Sequence, residues 1–336
     1  MVRQSTIPNL EGIRPRLHLP AHVSLEDFMA ALSAAVPDYR FDQYRLYPST
    51  NKAAWHGYRR ARIVDSLEDP ESLFWGDVVD GYPLLIGCTL PRWDEEHFGF
   101  RMAKINWMIS QDTPQAAEVT QTLLERCIAA LSSRDVKFVS ARIDGDDLQN
   151  IHILERNRFL YYEAMIWPVV ESTRLPFQKE ARVRLIQDSD IPRVLEIVQH
   201  HQYKRGHLYT DPRFDPKTVD AMYVKWIQTS LKNKDPITVI EHEGQVVGSF
   251  AFRMDASLSS HLGYQYGRMK LLTLDPSFRG KGLGLAFFQG SMLLIAQLGS
   301  QWIDSGYASK NHISARVHAK SGFQSVYEEL TFHRWL

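Results

Sequence analysis

Cysteine is nearly absent from this chain of 336 residues; Cys88 and Cys127 are the only two, each within an apolar run. A disulfide framework is thereby excluded, and two reduced, packed thiols in a reducing compartment are expected. No apolar stretch approaches a membrane span and the first residues form no signal-like core, so a cytoplasmic location without membrane attachment is expected. An excess of one charge is also missing, since 39 Lys and Arg face 39 Asp and Glu. Without a basic stripe no nucleic-acid partner is expected; Arg182 with Arg184, and Lys232 with Lys234, read as solvated faces. His200, His201 and His207 stand on or after a helix end, without a cysteine pair or an HExxH pattern, so no metal is expected. The length is comfortable for two domains, and 44% apolar residues suit an ordinary globular protein.

Arg279-Gly280-Lys281-Gly282-Leu283-Gly284 stands out from that background. It follows an apolar strand expected at 269–274 and a stop at Asp275-Pro276, and it opens a helix expected at 281–298. Alternating glycines leave backbone N–H groups uncovered at the positive end of the helix dipole, which makes an anion site. Missing side chains let a pyrophosphate approach the backbone. A dinucleotide fingerprint needs glycine at 285, where Leu285 stands. A P-loop needs Ser or Thr where Gly282 stands and glycine where Asp275 stands. Taken alone, the segment is either a phosphate cradle or a glycine-rich turn opening a helix.

A strand expected at 302–307 is followed by Asn311-His312-Ile313-Ser314-Ala315-Arg316-Val317-His318 and then Ser321-Gly322-Phe323. The two motifs together resemble the GNAT superfamily of CoA-dependent acyltransferases. There Arg/Gln-x-x-Gly-x-Gly/Ala cradles the CoA pyrophosphate, and an Asn-x-x-Ala-x-x-x-Tyr-x-x-x-Gly-Phe helix follows the next strand. Arg279, Gly282, Gly284, Asn311, Gly322 and Phe323 stand in register. Ser314 replaces the small alanine, and His318 stands where tyrosine is commonest.

The resemblance implies an α/β (α+β) GNAT fold with a mixed, splayed central sheet flanked by helices. The pattern over 181–336 fits it. A strand is expected at 183–186, helices at 191–201 and 217–231, a hairpin of 237–240 with 246–253 across Glu243-Gly244, and a last strand at 326–335. Upstream the chain reads as a worn copy. Strands are expected at 102–109, 137–143 and 160–170, with helices at 114–131 and 147–156. Counting back from Phe159 puts Asp147 in the asparagine place, Leu154 in the tyrosine place and Arg158 in the glycine place. Ser110-Gln111-Asp112-Thr113-Pro114 has no glycine, and its carboxylate would repel a pyrophosphate. With a boundary in the polar segment 171–180, residues 1–175 read as a degenerate GNAT-like domain carrying an extra N-terminal segment, and 176–336 as an active acyltransferase domain. A helix is expected at 25–36, while 39–62 stays unassigned.

Pro91 to Phe100 resembles the Trp-(Asp/Glu)-x-x-Phe-Phe-Gly opening of the dTDP-fucosamine N-acetyltransferases, and His207-Leu208-Tyr209-Thr210-Asp211-Pro212 with the segment 222–227 resembles other parts of that group. Trp93 and Phe98 equally suit an aromatic core. That resemblance implies acetyl-CoA as donor and a nucleotide-linked amino sugar as acceptor. Another small amine, or a non-catalytic CoA-binding scaffold, remains open, as does a homodimer. By family position, Leu272 and Leu274 offer main-chain partners to pantetheine. Gly280, Gly282, Leu283 and Gly284 supply pyrophosphate N–H groups, Arg279 and Lys281 add charge, and Asn311 bonds pantetheine or a phosphate while capping its helix.

His318 can give the leaving thiolate a proton, take one from the amine, hydrogen-bond the sulfur or serve structure alone. At an ordinary pKa about a quarter of such groups carry the extra proton at neutral pH. Tyr307 is a second proton donor. Glu241 and Asp255 qualify as bases by strand position only. On the acceptor side, residues 203–214 hold Arg205, His207, Tyr209 and Asp211, a mixture that suits a sugar diphosphate or a solvated loop.

Overall fold

The computed structural model describes residues 10–35, 41, 51–200 and 203–336. The expectations at Val36 and His201, and most of 39–50, lie outside them. The first half runs α1 (Leu10–Ile13), β1 (Leu17–His18), α2 (Leu25–Ala35), α3 (Lys52–Glu68), β2 (Ser72–Val79), β3 (Tyr82–Thr89), α4 (Arg92–Phe98), β4 (Met102–Ile109), α5 (Pro114–Ser133), β5 (Phe138–Asp144), α6 (Leu148–Arg156) and β6 (Leu160–Glu171). The second continues with β7 (Val183–Leu185), α7 (Ile191–His200), α8 (His207–Thr210), α9 (Pro216–Lys232), β8 (Ile237–His242), β9 (Gln245–Met254), α10 (Ala256–Leu262), β10 (Tyr266–Leu274), α11 (Leu283–Gln297), β11 (Trp302–Ser305), β12 (Tyr307–Ala308), α12 (His312–Lys320) and β13 (Gln324–Trp335).

Two units form, Met1–Glu163 with Glu328–Leu336, and Ala164–Tyr327. In each a mixed sheet is flanked by helices, the fold class expected from sequence. The units divide at 163/164 and 327/328 rather than at 175/176, because the halves exchange their last strands. The end of β6 pairs with β11 and β12, and β13 pairs with β5.

In the first unit α5 turns Leu123, Leu124, Cys127 and Leu131 onto one face of the sheet, a helical apolar stripe. On the other face α2 and α3 lay Phe28, Leu32, Ile63 and Leu67 against Phe74, Leu85 and Trp107. In the second unit α7 and α9 bring Val194, Ile197, Val198 and Ile227 to Ile237 and Val239. On its opposite face α11 sets Phe287, Met292 and Ile295 against Phe250, Phe252 and Met269.

The repeat read from the sequence is visible in local geometry. Asp147 caps α6 by accepting from Asn150 N, as Asn311 caps α12 by accepting from Ser314 N. After the helices, Arg158 has φ 60° where Gly322 has φ 80°. Phe159 N then donates to Leu154 O at 3.0 Å, and Phe323 N to His318 O at 3.1 Å. Arginine holds a left-handed conformation that glycine adopts without steric cost. Sequence reading missed α3, β2, β3, α4 and α10; α10 follows the third strand of its repeat as α4 does. Both end on a left-handed glycine, Gly99 at φ 78° and Gly263 at φ 77°. Asp255 caps α10 through Leu258 N, which assigns that carboxylate to structure rather than to base chemistry.

Candidate active site

The site is built where β10 and β11 part. β10 runs antiparallel to β9 as far as Leu274, but parallel to β11 only from Tyr266 to Met269. A register shift between Met269 and Leu271 makes Lys270 the extra residue of a bulge, which bends a strand and ends pairing. On the far side, β6 pairs with β11 through Val169 to Glu171 and with β12 through Met165 and Ile166. Pro168, which has no N–H to give, stands in the gap. One register before the parting, Arg268 faces Asp304 across the strands. Its Nε and Nη2 reach the two carboxylate oxygens at 3.1 and 2.7 Å, a fork that fixes the vertex, and Asp304 is fully buried. The sequence signal for this pair was a carboxylate inside an apolar strand, and the reading passed over it.

Asp275 N donates to Val247 O at 2.9 Å on the β9 side. By strand alternation the main-chain groups of Leu274 and Leu272 point the other way, to the open edge. Arg279 Nη2 reaches the Leu274 carbonyl only at 3.5 Å.

Beyond β10, the Asp275 carboxylate accepts from Ser277 N at 3.0 Å and is held by Arg193 at 2.5 Å. The next turn carries Gly280 and Gly282, both at φ 77°, a conformation that L side chains rarely adopt. Gly282 caps α11 without any side-chain hydrogen bond. A Cβ placed on Gly280, Gly282 or Gly284 meets no atom within 4 Å, so no neighbouring group covers the loop on that side and an anion can reach the start of the helix. Lys281 Nζ lies 4.9 Å from the Phe278 ring. The matching helix of the first unit begins differently, with Thr113 Oγ1 accepting from Ala116 N at 3.2 Å. There a side chain fills the place that the glycines leave open.

His318 is buried behind the parting strands. Ring centroids of Phe288, Tyr307 and Phe323 lie 4.7, 4.7 and 4.9 Å from its own. Nδ1 donates to the Ser314 carbonyl at 2.8 Å, which leaves the lone pair on Nε2; that atom is buried and has no partner. Burial pushes the imidazole down to about 4, opposed in part by the Ser314 bond. At neutral pH it is therefore an acceptor and not an acid. Tyr307, half-buried at the open strand ends, is the phenol beside it.

That burial has a consequence for stability. The unfolded imidazole titrates near 6.5, above the folded value, so between the two the unfolded chain binds more protons. Stability should fall as pH drops from about 6.5 to about 4, by roughly 3 kcal/mol. His318→Phe should flatten this limb in thermal melts across that range; an unchanged slope would place the loss on other groups.

The acceptor-side residues are only partly presented. Arg205 is exposed, and His207 opens α8. Tyr209 donates to Asp220 at 2.5 Å, stacks on Tyr223 at 6.1 Å and lies under Lys204. Asp211 is 1% exposed and accepts from Arg213 N, so it shapes its own turn and is not offered to a ligand. Glu241 is bound by Arg184 at 2.5 Å. Among the described residues no group of three or more His, Cys, Asp or Glu is placed to hold a metal, and no helix is long and apolar enough to cross a membrane.

Residues 181–324 match the acetyltransferase (GNAT) domain family. No curated protein matches the sequence. Solved structures share the fold at low identity. A tandem GNAT protein from the clavulanic acid biosynthesis pathway aligns at 13% identity and TM-score 0.51, over 81% of this chain and 86% of its own. A GCN5-related N-acetyltransferase from Sphaerobacter thermophilus aligns at 11% and 0.56, over 92% and 90%. The glucosamine N-acetyltransferase region of a fungal multi-domain GH3 beta-N-acetylglucosaminidase aligns at 9% and 0.58, over 91% of this chain and 37% of that one. Residues 181–324 are thus similar to a GNAT acetyltransferase domain, and the fold of the chain is similar to that of a tandem GNAT protein.

Proposed function

We propose that the second unit transfers an acetyl group from acetyl-CoA to a primary amine, and that the first unit is a structural partner without a donor site of its own. The observation that carries this reading is the open cradle at Gly280, Gly282 and Gly284, on the same sheet edge as the unpaired stretch of β10. Pyrophosphate fits the cradle, and pantetheine amides fit the free main-chain groups of Leu272 and Leu274. A nearby N–H of that edge stabilises charge developing on the thioester oxygen as the neutral amine attacks. The departing thiolate needs a proton. Tyr307 supplies it, and His318 Nε2, neutral and without a donor, accepts a hydrogen bond beside it. Asn311 stays a helix cap and orients the first turn of α12.

The favoured acceptor is a nucleotide-linked amino sugar. Its support is the exposed Arg205, with His207 and the Tyr209–Tyr223 stack on the acceptor side, groups suited to phosphate and to a ring face. Thiol release from acetyl-CoA, followed with dTDP-amino sugars, free amino sugars, amino acids and polyamines, tests the reading. Nucleotide sugars should react fastest, and Tyr307→Phe should lower turnover about a hundredfold with donor affinity kept. Preference for a free amino acid or polyamine would remove the sugar. Absence of release with every amine would leave only a CoA-binding scaffold.

A further inference from the structure

Exposed cations outnumber acids in the stretch that holds the cradle. Between Asp275 and Glu328 the sequence holds five Lys or Arg (Arg279, Lys281, Lys310, Arg316 and Lys320) against one acid, Asp304. That acid is fully buried and bound to Arg268, so it neutralises none of them. All five cations are exposed. Among the described residues Arg279, Lys281, Arg316 and Lys320 make no ion pair.

The arrangement on α12 is unfavourable to the helix by itself. His312, Arg316 and Lys320 follow at i, i+4 and i+8 on one exposed stripe, and the like charges of Arg316 and Lys320 repel. α11, which packs beside α12, has no charged side chain to relieve it. Within the same turn Ile313 is 77% exposed, the largest value among the exposed large hydrophobic residues. β10 and β11 run parallel, so the helices that follow them start at one edge of the sheet. The stripe and the cradle therefore belong to one surface. A flat apolar group beside a further anion, reached from a pyrophosphate, is the chemistry this surface matches.

Resting on the acetyl-CoA reading, we propose that α12 forms a second anion subsite for the ribose 3′-phosphate of CoA, with Arg316 as its principal ligand, Lys320 in support and the adenine edge against Ile313. The subsite makes the protein discriminate CoA from 3′-dephospho-CoA. The pyrophosphate cradle serves both nucleotides, whereas the α12 stripe serves only the one with the third phosphate.

Calorimetric titration of the full chain with CoA and with 3′-dephospho-CoA tests this. The unaltered protein should bind CoA about tenfold or more tightly, with the difference shrinking as salt is raised. Arg316→Ala should bring CoA to the affinity of the dephospho form and leave the latter unchanged; Lys320→Ala should do so in part. Equal affinities in the unaltered protein, or equal weakening of both nucleotides by Arg316→Ala, would overturn the subsite and keep the cradle. Failure of both nucleotides to bind would overturn the acetyl-CoA reading and the subsite with it.

Discussion

Gly284→Val should abolish saturable acetyl-CoA binding, weakening it by a hundredfold or more, while the protein stays folded. Gly282 is the more obvious target but a poorer one. Its φ of 77° would strain any L residue, above all a β-branched one, so loss of binding there would mix a distorted turn with a blocked site. Gly284 sits one residue inside α11 on ordinary helical backbone, and a Cβ there meets nothing within 4 Å. Valine in place of glycine costs the helix little or favours it. Its methyls enter the space through which an anion must approach the N–H groups, and steric exclusion of a pyrophosphate does not depend on strain. The thermal midpoint should change little, and both acetyl-CoA binding and acetyl transfer should vanish. Retained affinity in a folded Gly284→Val protein would move the donor site off this loop.

The loop was legible in the sequence because its function depends on which side chains are missing, and absence can be read one letter at a time. Most of the strand and helix order after Met102 was legible for a similar reason. Apolar periodicity along α5, α9 and β8 records which face is buried, and Glu243-Gly244 records the hairpin turn between β8 and β9. The fate of single polar side chains was not legible. Asp211 looked available for a sugar hydroxyl, yet its turn buries it. Glu241 looked like a base, yet Arg184 reaches it from β7. His318 looked partly protonated and open to several roles until Phe288 and Phe323 closed around it. Each outcome is set by a partner distant in sequence. The bulge at Lys270 escaped for the same reason, since it is defined by register against β9 and not by composition. Domain limits were blurred by strand exchange, which no local signal marks. β6 reads as the end of the first half although most of it belongs to the second sheet.

Ending the chain after Tyr327 should therefore unfold the first unit, although the residues removed lie at the opposite end of the sequence. Glu329 to Trp335 pair in unbroken register with Asp144 back to Phe138, and Leu336 N donates to Lys137 O at 2.9 Å. Phe332 is 1% exposed within the main apolar cluster of that unit, and His333 is stacked on Tyr162 at 4.2 Å. Arg334 donates to the carbonyl of Asn157, at the end of α6. Loss of Phe332 alone removes about 3–5 kcal/mol, of the same order as the roughly 5–15 kcal/mol that holds a whole domain. The truncation also strips a seven-residue ladder from β5 and leaves that strand as a bare edge, a template for aggregation. Soluble yield should collapse, and the remaining soluble protein should lack the cooperative melt of the first unit. A linker-joined protein of residues 1–163 and 324–336 restores the strand to β5 and should recover a cooperative transition. A truncated chain that stays soluble and melts as the full protein does would show that β5 does not depend on its distant partner.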